Sequence, residues 1–82
     1  MYKLLEEINN KEDFQIFLNS LKTDFNLNSE KWENRTIDSY LDAIQSWIND
    51  MDGYYINTNK RLPKDINWNF LATLFYVGKI YE

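Results

Sequence analysis

One stretch of this chain constrains the fold more than any other, because its apolar residues recur at helical spacing between residues 37 and 51. The positions are Ile37, Tyr40, Leu41, Ile44, Trp47, Ile48 and Met51. A repeat of three and four residues places side chains on one face of an α-helix, whereas a half-buried strand alternates at every second residue. We therefore expect a helix here that packs on other helices.

A similar repeat occurs earlier in the chain. Asn10 is suited to cap a helix, since its side chain can accept from a free backbone N–H, and Glu12 and Asp13 follow in the first turn, where acidic groups are favourable. We predict an amphipathic helix that begins after Asn10 and ends near Leu27 or Asn28. Its apolar positions are Phe14, Phe17, Leu18, Leu21 and Phe25.

The limits of the middle helix, over residues 37–51, are marked by polar residues and a glycine. Either Asn34 or Thr36 can cap its start. Gly53 fits the left-handed position that closes many helices, so we predict the end of the helix there. Residues 55–66 then form a loop of about a dozen residues, a length that often accompanies a function.

The C-terminal segment is apolar on nearly every side. We predict a helix that begins at Asn67 and runs almost to the C-terminus. Such a helix is either the central one of a bundle or half of a self-association surface. A strand over residues 73–80 is the alternative, but no second strand of comparable strength is present to pair with it.

Together these segments predict an all-α fold, a small helical bundle of three main helices in a single domain over residues 1–82. A short N-terminal helix over residues 2–8 is an optional addition. A small domain depends on large side chains for its stability, and aromatic residues make up 17% of this chain. The predicted core is Phe14, Phe17, Leu18, Leu21, Leu41, Ile44, Trp47, Ile48, Leu71 and Phe75.

The chain contains neither histidine nor cysteine. This excludes a serine triad, a thiolate nucleophile, a disulfide and the commonest transition-metal sites. Its two glycines, Gly53 and Gly78, lie too far apart to form a phosphate loop. A calcium loop around residues 50–53 also fails, because its first and last ligand positions would be Ile48 and Asn59. We predict no catalytic residue, no cofactor and no metal.

The formal net charge of −4 argues against nucleic acid as a partner and favours a protein with a basic surface. The opening residues lack the apolar run of a signal peptide, and no run of about 18 apolar residues occurs. We expect a cytoplasmic protein that does not span a membrane.

An acidic stripe on the middle helix is the clearest candidate for a binding site. Its members share one helical face and are Asp38, Asp42, Gln45, Asn49 and Asp52. Asp38 suits the helix start, but Asp50 and Asp52 near the predicted end are unfavourable unless a cation lies nearby. That cation comes either from the chain's own basic segment or from a basic partner. The basic residues of that segment are Lys60, Arg61 and Lys64.

Aromatic residues next to these carboxylates extend the candidate site. Tyr54 and Tyr55 are consecutive and cannot easily both point inward, and exposed tyrosine is a favoured anchor at interfaces. Trp32 either closes one end of the core or contributes to the partner surface together with Glu33. The full predicted partner-binding set is Asp42, Asp50, Asp52, Tyr54, Tyr55, Trp32 and Glu33.

Several distinctive motifs occur in order along the chain. They are Trp32-Glu33-Asn34, Tyr40-Leu41, Trp47, Asp50-Met51-Asp52-Gly53-Tyr54-Tyr55, Trp68 and Tyr81-Glu82. Together they resemble a family of short bacterial proteins catalogued only as a domain of unknown function. The resemblance covers about Asp13 to Glu82. It implies a bacterial, cytoplasmic origin and a compact stand-alone domain, and it brings no activity or catalytic residues with it.

The residues favour a non-enzymatic protein-binding module, and an immunity-like or antitoxin-like inhibitor of a basic protein is its most specific form. The alternative is a homo-oligomeric structural or regulatory module that dimerises through the C-terminal helix. Burial of Trp68, Phe70 and Tyr76 within one chain would argue against that alternative.

A third reading is an enzyme that works with carboxylates alone. It requires Glu33, Asp50 and Asp52 to converge in one cleft.

Overall fold

The structure is a computed structural model that describes the backbone of residues 5–57 and 65–81, and the side chains of these residues except 54–57. Within those ranges it contains α1 (Lys11–Asn28), α2 (Ile37–Asn57) and α3 (Trp68–Ile80). A short 3-10 helix, Ser29–Lys31, follows α1 directly. No strand occurs in the described ranges, so the all-α prediction is confirmed and the strand alternative for residues 73–80 is wrong.

Each helix begins where a side chain can satisfy a free backbone N–H. The Asn10 side chain accepts a hydrogen bond from the Asp13 N–H at 2.8 Å, and Asn67 accepts one from the Phe70 N–H at 2.7 Å. For α2 the cap is Thr36, whose Oγ1 accepts from the Ser39 N–H at 3.1 Å. The predicted starts of all three helices are confirmed.

The end of α2 differs from the prediction. The helix continues through Gly53 to Asn57, and the Gly53 backbone does not enter the left-handed region. Asp50 and Asp52 therefore lie before the last turn, and the dipole penalty expected at a helix end does not apply to them. The predicted loop over residues 55–66 begins later than expected, and residues 58–64 lie outside the described part.

The predicted N-terminal helix over residues 2–8 lies partly outside the described part, which begins at residue 5. The residues that follow are attached to the bundle. Leu5 and Ile8 are 7% and 3% exposed, and the Ile8 N–H donates to the Leu5 carbonyl at 3.4 Å in a turn. The Asn69 side chain also donates to the Leu5 carbonyl, which fixes this segment to α3.

The helix α3 is the central element, because it contacts both α1 and α2. This confirms the first predicted alternative, that the C-terminal helix, apolar on nearly every side, is the central helix of the bundle. The core forms two clusters along it. One centres on Phe17, Trp32 and Ala72, and the other on Trp47 and Phe70.

Seven of the ten predicted core residues are buried or half-buried, but three are not. Leu41, Ile48 and Phe75 are 57%, 45% and 37% exposed. The reason for the first two is the rotation of α2 about its axis. The buried residues Ala43 and Trp47 face α3. Leu41 and Ile48 lie one helical position away from that face and are left exposed, whereas Ile44 still packs against the second core cluster.

A close approach between α2 and α3 occurs at Gly78. A Cβ built on Gly78 would lie 2.6 Å from the Tyr40 ring. The Tyr40 hydroxyl donates to the Phe75 carbonyl at 2.6 Å, which holds the ring in place. Glycine is therefore required here for space, not for an unusual backbone angle.

The two glycines should respond oppositely to alanine. Gly78→Ala should lower the free energy of unfolding by about 1–2 kcal/mol, because the ring cannot move without losing its hydrogen bond. Gly53→Ala meets nothing within 4 Å and should raise it by about 1 kcal/mol through helix propensity. Urea denaturation measures both. A stabilising Gly78→Ala would show that Tyr40 and α3 are further apart than described.

Adjacent residues on α2 give a second test of its rotation. Trp47→Ala should cost about 3–5 kcal/mol, because the side chain is removed from the core. Ile48→Ala, one residue further, should cost less than about 1 kcal/mol because Ile48 is 45% exposed. Equal losses in thermal or urea unfolding would mean that α2 faces α3 differently.

Candidate functional site

Three parallel stripes run along α2, each displaced from the next by one residue, or about 100° of helical rotation. The first faces α3 and consists of Tyr40, Ala43 and Trp47. The second, here called the aliphatic stripe, consists of Ile37, Leu41, Ile44, Ile48 and Met51. The third is the acidic stripe of Asp38, Asp42, Gln45, Asn49 and Asp52.

The aliphatic stripe is the unusual one, because much of it faces solvent. Ile37, Leu41 and Ile48 are 75%, 57% and 45% exposed, and Ile44 and Met51 are half-buried. All five members of the acidic stripe beside it are exposed. Ile44 and Met51 pack against the second core cluster, so the exposed members are Ile37, Leu41 and Ile48. Single exposed aliphatic residues need no explanation, but three on one helical face next to carboxylates are typical of an interaction surface.

The predicted acidic residues do not all lie together. Asp42 and Asp52 are on the acidic stripe, whereas Asp50 lies on another face and accepts a hydrogen bond from the Tyr81 hydroxyl at 2.6 Å. This bond is the main reason that the pKa of Tyr81 is raised, with smaller contributions from burial and from the Asp50 charge. Asp50 is therefore part of an intramolecular contact.

Trp32 is buried, at 7% exposure, and acts as part of the core. Its indole Nε1–H donates to Asp24 Oδ2 at 2.8 Å, and the same oxygen lies 2.8 Å from Lys79 Nζ. The Phe25 ring meets the indole edge-on, with 5.0 Å between the ring centroids, and the Tyr40 ring stacks on it with the centroids 6.2 Å apart. Of the two predicted places for Trp32, the core and the partner surface, the structure shows the core.

The residues that follow Trp32 hold the C-terminal end of α3. The Glu33 N–H donates to the Lys79 carbonyl at 3.0 Å, and the Asn34 side chain donates to the carbonyls of Gly78 and Tyr81 at 3.1 and 2.6 Å. These bonds satisfy carbonyl groups that a helix end leaves free. Asn34 is thus a cap for α3 and not, as one option had it, for α2.

Tyr40 completes this junction from α2. Burial raises the pKa of Tyr40 to about 12. The phenol is kept protonated further into alkaline pH, so it remains a donor to the Phe75 carbonyl there. The function of Tyr40 in the described structure is to join the two helices.

The predicted site residues consequently separate into two groups. Trp32 and Glu33 lie by the first turns of α2, whereas Asp52 lies about 18 Å further along its axis, twelve residues beyond Tyr40. The side chains of Tyr54 and Tyr55 lie outside the described part. Residues 58–64 also lie outside the described part. The prediction that Lys60, Arg61 and Lys64 neutralise the carboxylates of α2 therefore falls outside it as well.

A groove of about 330 Å³ opens beside Trp32, between α1 and the start of α2. Its walls are mainly apolar and include Phe25 and Ile37. Lys22 and Arg35 also line it. Ile37 belongs to both this groove and the aliphatic stripe, so the two surfaces are continuous.

A second groove, of about 610 Å³, lies where residues 5–9 meet α3. It is more polar than the first. Neither groove is lined by Glu33, Asp50 or Asp52, the carboxylates of the enzyme reading. In the described ranges no three acidic side chains lie close enough to hold a metal ion, and no helix is long and apolar enough to cross a membrane.

Residues 10–82 match the Family of unknown function (DUF7660). The chain belongs to this family. The match agrees with the resemblance seen over Asp13 to Glu82 and, like it, assigns no activity. Among curated proteins and solved structures, none matches the chain significantly.

Sequence reasoning missed the residues that form the exposed surface. Ile37 was assigned to the inner face of α2, and Leu41 and Ile48 to the core. Lys22 and Arg35 were not considered. One signal was present: the apolar residues of α2 fill two adjacent stripes, which is wider than a single neighbouring helix can cover.

The contact between Asp24, Trp32 and Lys79 predicts a pH dependence. The hydrogen bond from Lys79 is the main cause that lowers the pKa of Asp24 below 3.8; burial opposes it, and Trp32 and Asn28 add to the lowering. A carboxyl whose pKa is lowered on folding stabilises the protein above its unfolded pKa. That stabilisation disappears as the pH falls through the folded pKa.

Asp24→Asn should therefore lower the free energy of unfolding at neutral pH by about 1 kcal/mol, since the pair is partly exposed to solvent. The difference from the parent should shrink as the pH falls below 3.8, the ordinary value of this carboxyl. Urea unfolding across acidic pH measures it. Asp42→Asn is the control, because Asp42 is exposed, and a constant Asp24→Asn deficit at every pH would contradict the assignment.

Proposed function

We propose that this protein is a non-enzymatic protein-binding module that docks a basic amphipathic helix along α2. The observation that carries the proposal is the exposed aliphatic stripe lying one residue away from the acidic stripe. Helices that bind in this way present apolar anchors at every third and fourth position. Lysine or arginine on the flank of such a helix would face Asp38, Asp42 and Asp52.

Charge favours a basic partner over a second copy of this chain. Two copies would bring together surfaces from chains that each carry a net charge of −4, whereas a basic helix neutralises the acidic stripe. The aliphatic stripe supplies the apolar contact that holds the complex, and the carboxylates raise the association rate. An immunity-like or antitoxin-like inhibitor, which masks a basic surface of another protein, is the specific form we propose.

A model peptide tests the aliphatic stripe directly. The probe is an amphipathic helix of about 18 leucine and lysine residues, with a leucine and glutamate peptide of the same pattern as its counterpart. The lysine peptide should bind and the glutamate peptide should not. Replacing Leu41→Ser together with Ile48→Ser should weaken binding by about tenfold or more, because two apolar contacts are lost.

The matched control removes two exposed aliphatic residues elsewhere. Ile16 and Leu27 lie on α1 and are 63% and 71% exposed. Ile16→Ser together with Leu27→Ser should leave the affinity unchanged. Equal weakening by both double variants in isothermal titration calorimetry would show that the peptide binds without using α2.

The acidic stripe should act on the rate of association. Asp38→Asn together with Asp42→Asn should slow the association of the lysine peptide and reduce its dependence on salt. Glu12→Gln together with Glu30→Gln removes the same charge from other exposed positions. This control should change the association rate and its salt dependence less. Stopped-flow measurements at several salt concentrations decide this. Rates that respond only to total charge would argue against a localised site.

The two competing occupants give distinct results. If the basic segment of the same chain covers the acidic stripe, replacing Lys60, Arg61 and Lys64 by glutamine should strengthen peptide binding. If a second copy covers the aliphatic stripe, the protein should sediment as a dimer that Leu41→Ser with Ile48→Ser dissociates. For dimerisation through α3 the deciding residues give a mixed result: Phe70 is buried, Tyr76 is half-buried and Trp68 is 37% exposed. Dimerisation through α3 therefore stays an alternative, and a dimer that Leu41→Ser with Ile48→Ser does not dissociate would favour it.

A further inference from the structure

The groove beside Trp32 differs in charge from the rest of the binding surface. Along α2 the exposed charges next to the aliphatic stripe are negative, but at its first residue, Ile37, the surface turns into a groove that Lys22 and Arg35 line. Across the described residues neither cation forms an ion pair, whereas Lys79 nearby is paired with Asp24. The surface is therefore acidic along its length and basic at one end.

The groove has a fixed floor. Trp32 is held by its bond to Asp24 and lies against the rings of Phe25 and Tyr40. Tyr40 is itself tied to α3 through the Phe75 carbonyl. A site whose walls are already held by other contacts loses little conformational freedom when it is filled, which favours binding of a single large side chain.

We infer that this groove receives one large apolar side chain of the docked helix, and that an acidic residue beside it faces Lys22 and Arg35. The inference rests on the proposed function and extends it. The partner segment is basic along its flank and carries an apolar residue next to an acidic residue at one end. Among the described residues, the basic groups that border the surface lie at the Ile37 end. A single acidic residue on the docked helix would then also fix the direction in which that helix lies on α2.

The groove volume of about 330 Å³ supports a single anchor. It lies at the lower limit for ligand sites, which are about 300–1,000 Å³, so it suits one large side chain better than an extended ligand. A guanidinium group binds a carboxylate through two parallel hydrogen bonds, so Arg35 is the stronger of the two contacts.

The test extends the lysine and leucine peptide by two residues. Phenylalanine with glutamate is added at the N-terminus in one peptide and at the C-terminus in another, and each has a counterpart with glutamine in place of glutamate. At one of the two ends, the glutamate version should bind about fivefold or more tightly than its glutamine counterpart. At the other end it should give no advantage.

The protein variants assign that advantage to the groove. Lys22→Gln together with Arg35→Gln should abolish the preference for glutamate. Lys22→Glu together with Arg35→Glu should reverse it, so that a peptide with phenylalanine and lysine at that end binds more tightly. Lys11→Gln with Lys31→Gln removes the same charge from residues that do not line the groove and should keep the preference. In NMR spectra the Trp32 indole N–H signal should shift only with the extended peptides, and circular dichroism checks that each variant is folded.

The outcomes separate this inference from the proposed function. If the peptides bind and respond to Leu41→Ser with Ile48→Ser, but glutamate at neither end is preferred, the inference is wrong and the binding function stands. A preference that persists without Lys22 and Arg35 also overturns it. If no peptide binds, both fall. A glutamate preference at one end, lost with the two groove cations and kept in the control, supports it.

Discussion

The contact that the rest of the structure depends on is the meeting of Trp32, Asp24 and Lys79. The Asp24 carboxylate on α1 accepts a hydrogen bond from the Trp32 indole N–H and forms an ion pair with the Lys79 ammonium group on α3. It therefore joins α1, the residues between α1 and α2, and the end of α3 at one point. From there Asn34 can reach the last carbonyls of α3, and Tyr40 can pack on Gly78. The start of α2 is positioned by these bonds.

That position determines which side of α2 is left outside. Because Tyr40 is held against Gly78, the residues in line with it, Ala43 and Trp47, follow it into the contact with α3. The aliphatic stripe is then turned by about 100° from the buried face. The exposure of Ile37, Leu41 and Ile48 is a consequence of this helix orientation, and the same orientation leaves the acidic stripe exposed.

Much of the fold could be predicted from the sequence, because helix starts depend on local chemistry. Asn10 caps α1 as expected, and α3 starts where predicted, with Asn67 as its cap. The rotation of α2 could not be predicted, since two adjacent stripes were both apolar and only contacts distant in sequence select one of them. The end of α2 was misjudged for a similar reason, because glycine permits a left-handed turn without requiring it. At the site, Asp42 was predicted among exposed groups, but the roles of Trp32 and Asp50 depended on Asp24 and Tyr81, which are remote in sequence.

The uninterrupted course of α2 also sets a length scale. The aliphatic stripe extends over fifteen residues from Ile37 to Met51, which is about 21 Å or four helical turns. A segment of one or two turns can cover only part of it and leaves the remainder in water. A helix of four turns whose apolar residues keep the same repeat covers all of it at once. On the proposed function, the surface would therefore discriminate by the length and periodicity of a helix as well as by its charge.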